Sequence, residues 1–184
     1  MGYRHTKDDI RDGAIVAAFE DGLSRLTFGS VAKRLGISDR VVVYYFPTKD
    51  DLVTEVLFEV GSQLQAALAP VVAVPAGDHV ELMRAVWPVL ACADADAVFA
   101  LFFEAIGLAA AGREPFATFV PQLVDGWIGW AAERLRGAPA TRRSEAAAAI
   151  ATVDGLLMIR QVAGAEVAER AARRLGVAGP SRSR

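Results

Sequence analysis

Arg40, Val41, Val43 and Tyr44 fall within five consecutive positions, and together they offer what a helix needs inside a DNA major groove. A guanidinium bonds guanine O6 and N7, apolar groups meet thymine methyls, and a tyrosine hydroxyl reaches phosphate. If Val42, Tyr45 and Phe46 turn toward a core, then Arg40, Val43 and Tyr44 point outward, and in part Asp39 and Val41. That outer face is more apolar than a solvated one; the alternative is that a neighbouring helix buries Val43 and Tyr44. Lys49 is a second signal. Thr48 and Asp51 stand at capping-box spacing, and Asp50 and Asp51 fill the first turn of the following helix, where a cation is disfavoured. A lysine there makes sense if the helix N-terminus faces a phosphate; pairing with Asp50 or Asp51 is the plainer alternative.

Other chemistry has few candidates. The histidines are His5 and His79, neither near a nucleophile in sequence, Cys92 has no CxxC partner, and no Gly-rich phosphate loop follows a strand. No catalytic residue, metal site or cofactor is expected.

The elements that must position Arg40 and Lys49 are legible on either side. Phe28, Val31, Ala32 and Leu35 form one apolar stripe at helical spacing, with Lys33 and Arg34 off it. Gly36 sits where a helix ends in the left-handed conformation, and Ser38 is a good N-cap for the next helix. Ile37 and Val42 have the spacing of a hydrophobic staple. Two helices joined by so short a Gly-containing turn make a helix-turn-helix signature. Upstream, Thr6 and Asp9 form another capping box before Ile10, Ala14, Ala17, Ala18 and Phe19, and Leu23 and Leu26 should close the small core. An arm carrying Arg4 and His5 precedes it. From Thr48 to Leu68, apolar residues at Leu52, Val53, Val56, Leu57, Val60, Leu64 and Leu68 predict one long helix.

Thr27, Ala32, Gly36-Ile37-Ser38, Tyr44-Tyr45-Phe46 and Thr48-Lys49-Asp50-Asp51-Leu52 resemble the segment that marks the TetR (tetracycline repressor-like) family of bacterial transcriptional regulators. The resemblance covers roughly residues 6 to 60 well and the remainder in pattern. It departs at Val43, where the family usually has a phosphate-contacting Tyr, and at Asp39, where Lys is common. The resemblance implies an all-α fold: a three-helix DNA-binding head at residues 1–47, then a helical ligand-binding and dimerisation domain at 48–184. Residues expected to meet DNA are Thr27, Ser38, Asp39, Arg40, Val41, Val43, Tyr44 and Lys49.

Beyond Gly77 only helices are predicted, separated by Gly, Pro and Asp signals. They begin at Asp78 (with Pro88 expected to kink or break it), at Asp94 or Asp96, at Pro115 and at Thr141 or Ser144, and the last spans Ala165 to Leu175 before a basic tail. The stretches Pro115 to Gly137 and Ala146 to Ile159 are apolar on more than one side, so both sides need burial. In a short chain the second burial fits a partner subunit related by a two-fold. Trp130, Leu135, Ala147, Ile150, Asp154 and Leu157 are the residues expected at that homodimer interface. Trp87, Phe99, Phe103, Glu104, Phe119, Leu123 and Trp127 are expected to line a small-molecule pocket, by resemblance; core packing is the plainer reading of each.

With 53% hydrophobic and 23% charged residues and a net charge of −2, the composition is that of a folded globular chain whose DNA affinity must come from a local basic patch. One cysteine fits a reducing cytoplasm, the N-terminus has no signal-peptide core, and the apolar run Ala97 to Gly112 is interrupted by Glu104, so no membrane segment is expected. The function expected is a DNA-binding transcriptional regulator, a repressor released from a palindromic double-stranded operator by a small apolar or aromatic effector. The alternative is a helical ligand-binding or protein-interaction module with weakened DNA binding.

Overall fold

The computed structural model describes residues 5–179; the arm residue Arg4 and the basic tail at 182–184 lie outside them. The described residues form helices and 3-10 turns, with one isolated parallel bridge between Ala76 and Leu135 in place of any strand. By internal contacts the chain makes two compact units: one takes the chain up to Gln63 with Leu101–Val120, the other Leu64–Ala100 with Pro121 onward.

In the first unit, α1 (Lys7–Asp21) opens on the Thr6–Asp9 capping box and ends at Gly22, followed by a 3-10 turn at Leu23–Arg25. The next helices are α2 (Phe28–Leu35) and α3 (Asp39–Tyr45). Gly36 between them has φ 66°, a left-handed conformation that glycine adopts without a Cβ penalty. The core of these helices is apolar: Ile10, Ala14, Leu23, Leu26, Val31, Val42 and Phe46 are all buried. Phe19, expected in the stripe of α1, is exposed instead, because it lies at the edge of the arc set by Ile10, Ala14 and Ala18. Helix α4 (Lys49–Leu68) starts in this unit and buries Leu52, Val53, Val56 and Leu57.

In the second unit α5 (His79–Leu90) runs through Pro88 without breaking. That proline is near the helix end, so the missing N–H costs the ladder one bond and little helix follows it. Helix α6 (Ala93–Ala110) begins in this unit and finishes in the first, whereas α7 (Phe116–Ala132) does the reverse. Helix α8 (Pro139–Ala163) starts ahead of the expected Thr141, with Pro139 at its first position, where a missing N–H is harmless. It packs with α5 and α9 (Ala165–Arg174) through Leu82, Met83, Val86, Ala146, Ala149, Val153, Leu156, Ala168 and Ala172. Across α5 and α8, His79 Nδ1 lies 2.6 Å from Glu145, and Arg160 of α8 grips Asp96 with two bonds of 2.6 and 2.9 Å.

Helix α8 is long and apolar enough to cross a bilayer by length and composition alone. Only 28% of its apolar window is buried within the protomer. Ala147, Ala151, Met158 and Val162 lie exposed along one side of it.

Candidate DNA-reading surface

The residues around α3 are set by local bonds. Thr27 caps α2: its hydroxyl oxygen accepts from the Ser30 amide at 3.1 Å, and its amide donates to Ser30 Oγ at 2.9 Å. An oxygen used as acceptor keeps its own O–H to donate, so exposed Thr27 can still bond an outside oxygen. Thr48 differs, because its hydroxyl both accepts from the Asp51 amide at 3.0 Å and sits 2.7 Å from Asp51 Oδ2, leaving it fully occupied in the cap.

Ser38 stands at the N-cap of α3 but makes no side-chain capping bond, contrary to expectation. The Val41 amide, which a capping hydroxyl would engage, donates to the Ser38 carbonyl at 3.0 Å. The Ser38 hydroxyl is thereby left exposed and available.

The inner side of α3 buries Val42, with Phe46 just beyond the helix. Tyr45 is half-buried and its hydroxyl donates to the His5 carbonyl at 2.9 Å, tying the chain entry to the end of α3. On the outer side Val43 is 40% and Tyr44 75% exposed, so no helix among the described residues covers them. Asp39 and Arg40 are exposed and Val41 half-buried. Ser38, Arg40, Val41 and Tyr44 line one open cleft of about 550 Å³ together with His5, Ile37 and Tyr45.

Charge is divided unevenly over the head. Lys7 pairs with Glu55 at 3.0 Å, Arg11 with Asp8 at 2.9 Å, and Arg34 with Glu20. Among the described residues no ion pair engages Arg25, Lys33, Arg40 or Lys49. These four exposed cations carry their charge uncompensated by a salt bridge, which is the condition for binding phosphate. Pairing of Lys49 with Asp50 or Asp51 is not formed, since Asp51 turns back to Thr48 at 2.7 Å.

Residues 10–56 match the model for bacterial regulatory proteins of the tetR family. The chain has the fold and the N-terminal module of the tetR family. A transcriptional regulator from Rhodococcus sp. Rha1 superposes with a TM-score of 0.72 at 23% identity, over 94% of each chain. A TetR transcriptional regulator from Legionella pneumophila gives 0.60 at 20% identity, covering 96% of this chain and 97% of that one. The multidrug binding protein EbrR complexed with proflavin gives 0.64 at 24% identity, over 92% and 98%. At these identities the likeness is one of fold. Among curated proteins no sequence matches significantly.

The residues expected at a ligand pocket and a dimer interface are dispersed. Phe103, Glu104 and Phe119 fall in the first compact unit, and Trp87, Phe99, Leu123 and Trp127 in the second. Trp87 is buried with its indole N–H donating to Glu169 at 2.9 Å. Trp127 and Trp130 meet edge to face at 5.4 Å, and the Arg134 guanidinium lies 3.6 Å above Trp130. Glu104 does not present a free carboxylate to a pocket: it accepts from the Leu23 and Ser24 amides, each at 2.9 Å, and from the Ser24 hydroxyl at 2.6 Å. Burial alone would raise this carboxyl, but the bonds from Ser24 and Leu23 prevail and hold it below the ordinary carboxylate value. Nothing in the pattern around Glu104 signals a partner 80 residues away.

Leu135 and Leu157, expected at the dimer interface, are 2% and 1% exposed within the protomer. The bonds that Ala76 exchanges with Arg134 and Arg136, at 2.9 and 2.8 Å, hold Leu135 inward, and Leu157 lies on the α8 side that carries Val153 and Leu156. Ala147 is exposed and Ile150 and Asp154 are half-buried. Burial pushes the Asp154 carboxyl up to about 6.

Proposed function

We propose that the protein is a homodimeric, cytoplasmic transcriptional repressor that binds a palindromic double-stranded DNA operator and is released by a small apolar or aromatic ligand. The observation that carries the reading is the outer face of α3. A helix exposing Arg40, Val43 and Tyr44 side by side, with Lys49 and Thr27 flanking it, combines base-edge chemistry with backbone anchoring. Ser38, Asp39 and Val41 complete the surface; Asp39, at the first position of α3, favours the helix N-terminus at the cost of phosphate attraction.

The uncovered side of α8 supports the dimer in this reading. Ala147, Ala151, Met158 and Val162 form an exposed apolar stripe, and a Cβ placed on Gly155 or on Gly126 and Gly129 of α7 would meet open space. A second copy related by a two-fold covers such a stripe and doubles the DNA contacts, with recognition helices about 34 to 36 Å apart. The mutual pairing of Arg160 and Glu145 with residues of this chain's own helices fits a bundle face better than a bilayer span.

The ligand class is suggested by the aromatic residue types at Trp87, Phe99, Phe103, Phe119 and Trp127, and by the multidrug binding protein of similar fold that is complexed with proflavin. The test is selection from random duplex DNA by the purified full-length protein, followed by titration of the selected complex with proflavin. Recovery of a two-fold symmetric site, and its release by the dye, is expected. Recovery of no common site would leave a ligand-binding or interaction module in place of the regulator.

A further inference from the structure

His5 directly precedes the Thr6 cap of α1, yet it lies against the end of α3, 40 positions away in sequence. The Tyr45 hydroxyl donates to the His5 carbonyl at 2.9 Å, and the Tyr45 ring meets that of exposed Tyr44 edge to face at 5.0 Å. Tyr45 thereby braces the chain entry against the outer face of α3. His5 stands on the wall of the cleft that also holds Arg40, Val41 and Tyr44. It borders a second open cleft as well, with Asp9 and Asp12 of α1 and Arg34 of α2. All of these residues belong to one compact unit.

Their placement decides the chemistry. Base edges are met by residues on the helix that enters the major groove, and phosphates wall that groove on both sides. His5 flanks α3 instead of lying on it, so with α3 seated in the groove it meets the sugar-phosphate backbone. A neutral imidazole has one N–H to donate, and a protonated one has two and a positive charge. The cleft otherwise holds a single fixed cation, Arg40, with Asp39 beside it in sequence. The charged and titratable groups facing His5 are Asp9, Asp12, Arg34, Arg40, Tyr44 and Tyr45. Bonds from the Thr6 amide and hydroxyl hold the Asp9 carboxyl below its ordinary value, so Asp9 takes up no proton in the range where histidine side chains do.

We propose that His5 is a DNA-binding residue that takes a backbone phosphate beside the recognition helix, with Tyr45 as the positioning residue that holds it at the cleft wall. The inference rests on the proposed DNA-binding reading. A phosphate diester keeps its charge across neutral pH, so a histidine bound to it couples DNA affinity to proton uptake, and binding tightens as pH falls.

The experiment is fluorescence anisotropy with the full-length protein, on a duplex selected by the wild type and on random duplex, over a salt series at pH 6 and pH 8.5. The wild type should bind both duplexes at least about 5-fold more tightly at pH 6, with a salt slope larger by about one. His5→Gln keeps a polar side chain without a titrating charge and should remove both differences. His5→Lys carries its charge at both pH values and should show the steeper slope at both. Tyr45→Phe loses the bond to the His5 carbonyl and should reduce the pH difference below about 3-fold. The double variant should bind no more weakly than His5→Gln alone. The His5 variants, placed ahead of α1, carry the test by themselves if Tyr45→Phe does not fold. A pH difference that persists in His5→Gln, or wild-type affinity of His5→Gln at pH 6, would overturn the inference. So would a loss confined to the selected duplex, which would put His5 on base edges. A wild type that binds its selected duplex equally at both pH values would also overturn it and leave the proposed function standing. A wild type that selects no duplex would refute the proposed function, and this inference with it.

Discussion

Asp154 offers the most quantitative test of the packing in the second unit. Burial on α8 moves its carboxyl from the ordinary 3.8 to about 6. A gap of two pH units corresponds to about 3 kcal/mol, and solvent screening at its part-exposed edge reduces that to ~2 kcal/mol. The direction follows from which state binds the proton first. Above pH 6 the folded and unfolded chains both carry the charge, and the folded chain bears the whole cost of burying it. As pH falls from about 6 toward 3.8 the folded chain takes up the proton before the unfolded one, and stability rises. Asp154→Asn removes the charge without changing the shape, so the variant should be more stable than wild type by ~2 kcal/mol at pH 7.5, and the difference should close below about pH 4. Urea unfolding followed by circular dichroism, at pH 7.5, 6, 5 and 4 and at one fixed protomer concentration, measures this directly. In a chain of 184 residues the same difference shifts Tm by roughly 4–8 °C. A variant less stable than wild type at pH 7.5, or a difference that does not change with pH, would refute the burial of an unpaired carboxyl on α8.

Three further outcomes are expected on the head and the α8 face. Lys49→Glu should weaken binding to every duplex alike and lower the salt slope by about one, read by fluorescence anisotropy across a salt series. Arg40→Ala should instead cost ~1–3 kcal/mol on the selected site with little change on random DNA, because it removes the proposed base-edge contact. Ala151→Arg, which places a charge in the middle of the exposed α8 stripe, should turn the dimer into a monomer in analytical ultracentrifugation while leaving the helical circular dichroism spectrum intact.

Much of the head was legible because its signals are local. The capping boxes read at Thr6 and Thr48 each show in the structure as reciprocal bonds within three residues, and Gly36 adopts the left-handed conformation its position implied. The apolar outer face of α3 was likewise readable, because a 3.6-residue period assigns Val42 inward and Val43 and Tyr44 outward once Phe46 is fixed in the core. Ser38 takes the N-cap position its spacing implied, but two closures of a first turn compete there, and the backbone carbonyl rather than the hydroxyl took the Val41 amide. Long-range choices left no such trace. A helix apolar on two sides does not say which side faces its own chain, so Leu135 and Leu157 could not be separated from Ala147. Glu104 interrupts an apolar run and reads as a lone polar group, whereas its partners come from a turn far away in sequence.

The central claim, that the outer face of α3 reads DNA sequence, is tested most directly by measuring the affinity of the protein for its selected duplex and for random duplex over the same salt series. The selected duplex should bind at least ~10³-fold more tightly at physiological salt, with both affinities falling steeply as salt rises. Equal affinity for the two duplexes, or affinity that salt does not change, would contradict it.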